Sequence, residues 1–270
     1  MNILVIGAHP DDCEIKAGGT GIKYAQLGHK VKFLSVANGD AGHYLQGGGV
    51  LAQRRAAEVA KACEILGVES EVLDIHDGEL MPTLDVRKQL MRQIRNWNAD
   101  IVITHRTNDY HPDHRYTGIL VQDTAYMVIV PNACPDTPAL KKNPVFMYLQ
   151  DRFQSPEPFR PDVIVPIDDV YEQKVCALHA IQSQFYEWLP WTWGNLDSVP
   201  KKDSERRAWL GKIMRPRYKN RFLNETKTLY GDTKAKSIEL VEAFQICEYG
   251  RQPSKQELRK LFPFLPKFKI

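Results

Sequence analysis

Along the first hundred or so residues, short apolar runs alternate with amphipathic stretches. NILVIG, close to the amino terminus, is a continuous apolar run that suits a strand covered on both faces. The glycine-rich GGTGIKYAQLG that follows reads as a helix ending at Gly28. KVKFLSVAN restarts as a strand, and the loop GDAGHYLQGGG leads into VLAQRRAAEVAKACEILG, where Val59, Cys63 and Leu66 recur at helical spacing until Gly67. EVLDI and TLDVRKQLMRQIRNW repeat the cycle, and DIVITH is a further strand. Such alternation predicts parallel βαβ crossovers, hence an α/β fold of the three-layer α/β/α type with a Rossmann-like, mostly parallel sheet.

Beyond residue 130 the pattern weakens, because prolines 131, 135, 138, 144, 156, 158, 161 and 166 cut the chain into short pieces. DVIVPI reads as a strand, and a helix is expected from Asp168 to about Trp188. Leu189 to Lys236, rich in Trp, Lys and Arg, shows no clear period and is expected to be a lid, an interface or an appended subdomain. SIELVEAFQICEYG fits a strand or a short helix, and the basic tail RQPSKQELRKLFPFLPKFKI reads as peripheral. The expected organisation is a core over residues 1–187 and an extension over 188–270 that returns a last core element near 238–249.

Composition narrows the classes. A chain of 270 residues, 43% hydrophobic, can bury a substantial core. Net charge of +3 with 26% charged residues gives no reason to expect a nucleic-acid partner. Cys13, Cys63, Cys134, Cys176 and Cys247 are odd in number and include no C-x-x-C pair, which fits a reducing cytoplasm better than a disulfide framework. The run Ile3–Ile6 is too short for a signal segment or a membrane span.

Two polar segments fall directly after predicted strands: AHPDDCE (8–14) and THRTNDYHPDH (104–114). Ligands of open α/β sheets sit outside the carboxyl ends of the strands, so the fold would bring both segments to one edge. Either Asp11 or Asp12 alone reads equally well as a helix N-cap. The joint pattern asks for more, since His9 with Asp12 and His111 with His114 are each three residues apart and would face one another. A catalytic zinc takes three ligands from His and carboxylate and keeps one position open, and His9, Asp12 and His114 fill that set. Asp11 would then accept a proton from the activated water. His111 would remain beside the metal, held protonated by Asp109 or Asp113, to stabilise an oxyanion. Another divalent ion such as Fe2+ is compatible with the same donors.

AHPDDCE followed by GGT, then Arg55 and Glu58 leading to LG, then NDYHPDH, resembles the LmbE-like or PIG-L type N-acetylglucosaminyl de-N-acetylase family over roughly residues 1 to 120. The resemblance implies zinc ligation by His9, Asp12 and His114, Asp11 as general base, His111 at the oxyanion, and a substrate-contacting arginine at Arg55 or its neighbour Arg54. It also implies that an acetyl group is removed from a small-molecule amino-sugar conjugate; a homo-oligomer is compatible with this. The chain departs from the family where a histidine is common: Ile181 stands there, with His179 two residues away. Trp188, Trp191 and Trp193 read as packing before they read as a sugar-stacking wall. Cys13 is expected to be buried, and Gly47–Gly49 to mark a mobile lid. A nucleotide-binding Rossmann module is disfavoured because no G-x-G-x-x-G follows the first strand. Cleavage of a different amide, and sugar binding without catalysis, stay open as alternatives.

Overall fold

β1 (Asn2–Gly7) is buried along all but its first residue, as a strand covered on both faces must be. In the computed structural model, which describes residues 1–266, it lies near the middle of a seven-stranded sheet. Around it are β2 (Lys30–Ser35), β3 (Glu69–Val72), β4 (Ile101–Thr104), β5 (Val145–Leu149), β6 (Val163–Pro166) and β7 (Val241–Gly250), in the order β3-β2-β1-β4-β5-β7-β6. The first five are parallel, whereas β7 runs antiparallel to both β5 and β6. The helices are α1 (Asp12–Gln26), α2 (Gly48–Leu66), α3 (Leu84–Trp97), α4 (Pro112–Met127), α5 (Tyr171–Ala180), α6 (Leu189–Thr192), α7 (Asp203–Tyr218), α8 (Leu223–Tyr230), α9 (Asp232–Ala235) and α10 (Lys255–Leu261).

Side chains of β1 alternate between two cores. Ile3 and Val5 pack with residues of α1, α2 and α5, while Leu4 and Ile6 pack with residues of α3 and α4 on the opposite face. This is the three-layer arrangement expected from the sequence. Among the described residues no helix is long and apolar enough to cross a membrane.

Several elements differ from expectation. VFMYL, isolated between prolines, is β5 and carries the parallel sheet one strand further. DVIVPI, by contrast, is a strand as expected, the edge strand β6, where Pro166 costs no interior ladder bond. SIELVEAFQICEYG resolves as a strand, not a helix, because β7 fills the gap between β5 and β6. The single helix expected over Asp168–Trp188 is broken at Ile181 (φ −90°, ψ 68°) into α5 and a π-helical turn, Ser183–Trp188. There the Glu58 carboxylate accepts from Ser183 N (3.0 Å) and Ser183 Oγ (2.5 Å), satisfying groups that the break exposes. The aperiodic stretch 189–236 is largely helical, and α7 packs on α5. Its apolar stripe is only Leu210, Met214 and Tyr218 in width, with Pro216 inside the last turn.

β7 also ties the last part of the chain to the first helix. Glu242 accepts from Gly19 N (2.8 Å), Thr20 N (2.7 Å), Thr20 Oγ1 (2.6 Å) and Lys174 Nζ (2.5 Å), all buried. Two buried charges survive only with their remaining hydrogen-bonding capacity filled, which these contacts do. The Gly19 position is bare for a reason: a Cβ there would lie 2.7 Å from Ile167 Cγ2.

Candidate metal centre and active site

The strand order reverses direction between β1 and β4, and a ligand crevice opens at such a switch point. Thr104 is in register with Ile6, so the loops leaving both strands start side by side. That geometry brings His9 against His114 across a sequence gap of 105 residues.

His9 Nδ1 lies 3.3 Å from His114 Nε2, which lies 3.3 Å from Asp12 Oδ2, and Asp12 Oδ2 is 3.7 Å from His9 Nδ1. Zinc bonds of about 2.0–2.1 Å give a tetrahedral edge of about 3.3–3.4 Å, so this donor triangle fits a divalent cation. The outward nitrogens are already engaged: His9 Nε2 by Asp77 (3.0 Å) and Asp113 (3.1 Å), His114 Nδ1 by Asp109 (3.1 Å). Carboxylates behind histidine ligands fix the tautomer and aim the inner nitrogen. The cage also demands positive charge. Burial alone would lower the His9 pKa, yet the hydrogen bonds from Asp113, Asp12 and Asp77 outweigh it and raise that pKa well above the usual imidazole value. Other donor groupings within 4.8 Å exist here, among them His9–His111–His114 and Asp12–His105–His114.

Asp11 occupies the position before α1 at φ 155°, ψ −24°, a costly conformation for a residue with a side chain. Its side chain makes no capping bond, so the capping alternative does not account for it. Asp12 instead uses Oδ2 to accept from Ala8 N (3.1 Å) and His9 N (2.9 Å). Burial pushes the Asp11 carboxyl up to about 6 against the pull of the Arg55 guanidinium, whose Nη2 is 3.5 Å away.

His111 caps α4, its Nδ1 accepting from Asp113 N (3.2 Å), and Pro112 starts the helix. Gly118 lets α4 approach closely, since a Cβ there would sit 2.8 Å from His105 O. The expectation that Asp109 or Asp113 keeps His111 protonated is corrected. Those carboxylates serve His114 and His9, and burial together with these two imidazoles lowers the His111 pKa. The ring is therefore neutral with its proton on Nε2.

Arg55 is buried and donates to Gly39 O (3.0 Å) and Pro10 O (2.9 Å), which anchors the HPDD turn. Arg54 does not line the cavity; Glu187 (2.6 and 2.8 Å) and Glu58 (3.1 Å) hold it, so its expected substrate contact is corrected. Gly48 and Gly49 form the first turn of α2, not a lid, and the preceding loop is pinned by His43 on Glu187 (2.8 Å). Ile181 is fully buried, and His179 bonds the Tyr186 hydroxyl (2.7 Å) outside the cavity lining. Cys13 is buried against Val5 O.

Two residues beside the centre escaped the sequence reading. His105 stacks on His114 (centroids 4.2 Å apart) with Nε2 3.2 Å from Asp12 Oδ2, and burial followed by the His114 charge pushes its pKa down to about 3. Asp77 follows β3 and contacts both His9 and Arg55. Neither has a spacing signature; their only signal is their place after the carboxyl end of a strand.

His9, Asp11, Asp12, Asp77, His111 and His114 line one wall of a cavity of about 890 Å³. Opposite lie Arg152, Phe153, Trp188, Trp193, Arg217 and Tyr218. The three tryptophans divide their roles: Trp191 stacks on Tyr44 and Trp188, whereas Trp188 and Trp193 line the cavity.

Residues 4–125 match the family described as PIG-L, GlcNAc-PI de-N-acetylase. The chain is 33% identical over 197 residues to the diacetylchitobiose deacetylase of Thermococcus kodakarensis, covering 70% of this chain and 73% of that protein. It is 25% identical over 197 residues to the 4-oxalmesaconate hydratase of Pseudomonas putida, covering 70% of this chain and 76% of that protein. The solved N,N'-diacetylchitobiose deacetylase of Pyrococcus horikoshii, bound to an inhibitor, matches with a TM-score of 0.68 at 25% identity, over 91% of this chain and 83% of that one.

Proposed function

The chain belongs to the PIG-L (LmbE-like) family, and from that premise we propose that it is a zinc-dependent hydrolase removing the acetyl group of an N-acetylglucosamine-type sugar. Acetate and a free amine are the products. The observation carrying this reading is the triangle of His9 Nδ1, Asp12 Oδ2 and His114 Nε2 with the uncapped Asp11 carboxyl next to it. A divalent cation bound by those three residues supplies the Lewis acidity that brings the pKa of water to about 7 and polarises an acyl oxygen. The two-histidine, one-aspartate set suits zinc, and ferrous iron uses the same donors.

The chain's own groups handle the protons. Asp11, its pKa raised to about 6, accepts a proton from the attacking water and returns it to the departing nitrogen. A group near neutrality serves both transfers. His111 presents Nε2–H to the oxygen that gains charge as the carbonyl is attacked. Arg55 holds Pro10 and lies against Asp11, fixing the base where backbone strain has placed it.

The test is amine release by the purified protein from N-acetylglucosamine, diacetylchitobiose and other N-acetylglucosaminides, with and without added zinc. Zinc-dependent amine release is expected. The likeness to 4-oxalmesaconate hydratase favours one second reading, hydratase chemistry. Consumption of 4-oxalmesaconate, with no amine from any acetamido sugar, would replace the deacetylase reading with it.

A further inference from the structure

The cavity is too large and too unevenly charged to be explained by an acetamido sugar alone. Its volume of about 890 Å³ lies near the top of the range that encloses ligands larger than one sugar ring. The acidic groups cluster at the HPDD and HPDH turns. Lys16 stands beside them, against His105, whereas Arg152, Arg217 and Arg221 line the same space from other parts of the chain.

These cations have almost no anionic partners. Asp151 is held by Arg106 through both carboxylate oxygens, at 2.6 and 3.0 Å. Glu242 is saturated by Lys174 and by Gly19 and Thr20 in the middle of α1. Lys16 Nζ reaches only His105 Nδ1, at 3.4 Å, and Arg221 donates to the main-chain oxygen of Asp151. Among the described residues, neither the Arg152 nor the Arg217 side chain pairs with a carboxylate. Arg152, Arg217 and Arg221 also crowd one another: burial and then the charges of Arg152 and Arg217 hold Arg221 below the usual arginine value. Uncompensated guanidinium groups facing one cavity suit a planar or tetrahedral anion.

Tyr110 links the triangle to the residues around the arginines. It lines the cavity with its ring 5.6 Å from His114, and its hydroxyl, whose pKa is raised first by burial, is within electrostatic reach of Asp12, Asp109 and Asp11 and also of Arg217. Phe153 lies beyond, with ring centroids 6.4 Å apart. A substrate whose acetamide reaches the triangle therefore extends past Tyr110 towards the arginines.

We propose that Arg152, Arg217 and Arg221 form a subsite for an anionic substituent, carboxylate or phosphate, carried by the amino sugar away from its acetamido group. This rests on the reading that the cavity takes an N-acetylated amino sugar.

The experiment compares N-acetylglucosamine 1-phosphate and the carboxymethyl N-acetylglucosaminide with the neutral methyl N-acetylglucosaminide. Calorimetric affinity and kcat/KM are measured on the zinc-loaded wild type and on the double variant Arg152→Gln, Arg217→Gln. In the wild type an anionic ligand is favoured by about tenfold or more, the worth of one charge-assisted hydrogen bond, and the ratio falls towards unity in the double variant. Preference for phosphate or for carboxylate supports the subsite and names its source. Equal affinities in the wild type, or a preference that survives both substitutions, overturns it. If no ligand is turned over but anionic affinity is still lost with the arginines, the deacetylase reading fails and the anion subsite stands.

Discussion

The two walls of the cavity differ in almost every physical respect. The wall at the ends of β1 and β4 is buried and acidic, and nearly every polar atom in it is held by another: Asp12 by main-chain amides, His114 by Asp109, His9 by Asp77 and Asp113. The other wall, from residues 150–153 and 188–221, is basic and aromatic, with Trp193 47% exposed and Arg217, among the described residues, in no ion pair with a carboxylate. The first wall stands on the central strands of the sheet, where a ligand position cannot drift. The second is assembled from separate pieces: the loop after β5, the short helical turns after the break at Ile181, and the end of α7. Bond-breaking groups need fixed geometry, whereas a surface that selects one substrate among many gains from elements free to vary.

If this division of labour holds, damage to the first wall is severe and graded by distance from the triangle. His114→Ala removes the nitrogen that stands 3.3 Å from both of its fellow donors. It is expected to lose metal and activity together, falling to the background rate, and elemental analysis beside the amine assay reads both. A variant that kept its metal would show the triangle to be misassigned. His111→Ala takes away a donor to the oxyanion while leaving the triangle intact, so kcat falls by about 10²–10³ with zinc retained. Loss of zinc in that variant would instead make His111 a ligand, as the alternative grouping with His9 and His114 allows.

Asp109→Asn probes the support one step further out, where Oδ1 holds His114 Nδ1 at 3.1 Å. Zinc affinity or kcat/KM is expected to drop by about 10–100-fold, measured by competition with a chelator and by steady-state rates. Arg54→Gln lies outside both walls. It removes partners of Glu187 and Glu58, and the denaturation midpoint is expected to fall by the equivalent of about 0.2–1 kcal/mol with kcat/KM unchanged. A large loss of kcat/KM there would restore the substrate contact expected from the sequence.

How much could be read in advance follows the same division. His9, Asp11, Asp12, His111 and His114 stand at recognisable spacings after apolar runs, and the parallel alternation alone places both runs at one sheet edge. His105 and Asp77 lie at comparable strand ends but are single residues without a spaced partner, so nothing in the pattern distinguishes them. The role of Arg55 was half legible: its nearness to the site could be expected, its burial under Pro10 and Gly39 could not. β5 was lost because its five residues lie between prolines, and β7 stayed undecided between strand and short helix because Glu242 interrupts its apolar run. The helix α7 buries just Leu210, Met214 and Tyr218, too narrow a stripe to register as a period among so many charges. A reading from periodicity finds what the sheet organises and misses what only tertiary packing decides.

The central claim is that Asp11 is held in its strained position as a proton carrier and has no structural duty of its own. Asp11→Asn tests it most directly, because asparagine is nearly the same size, tolerates positive φ and lacks a site for the proton. Zinc content and the folding transition should stay close to wild type while amine release from an N-acetylglucosaminide falls by about 10²–10⁴. Near wild-type turnover by the zinc-loaded variant would contradict the account.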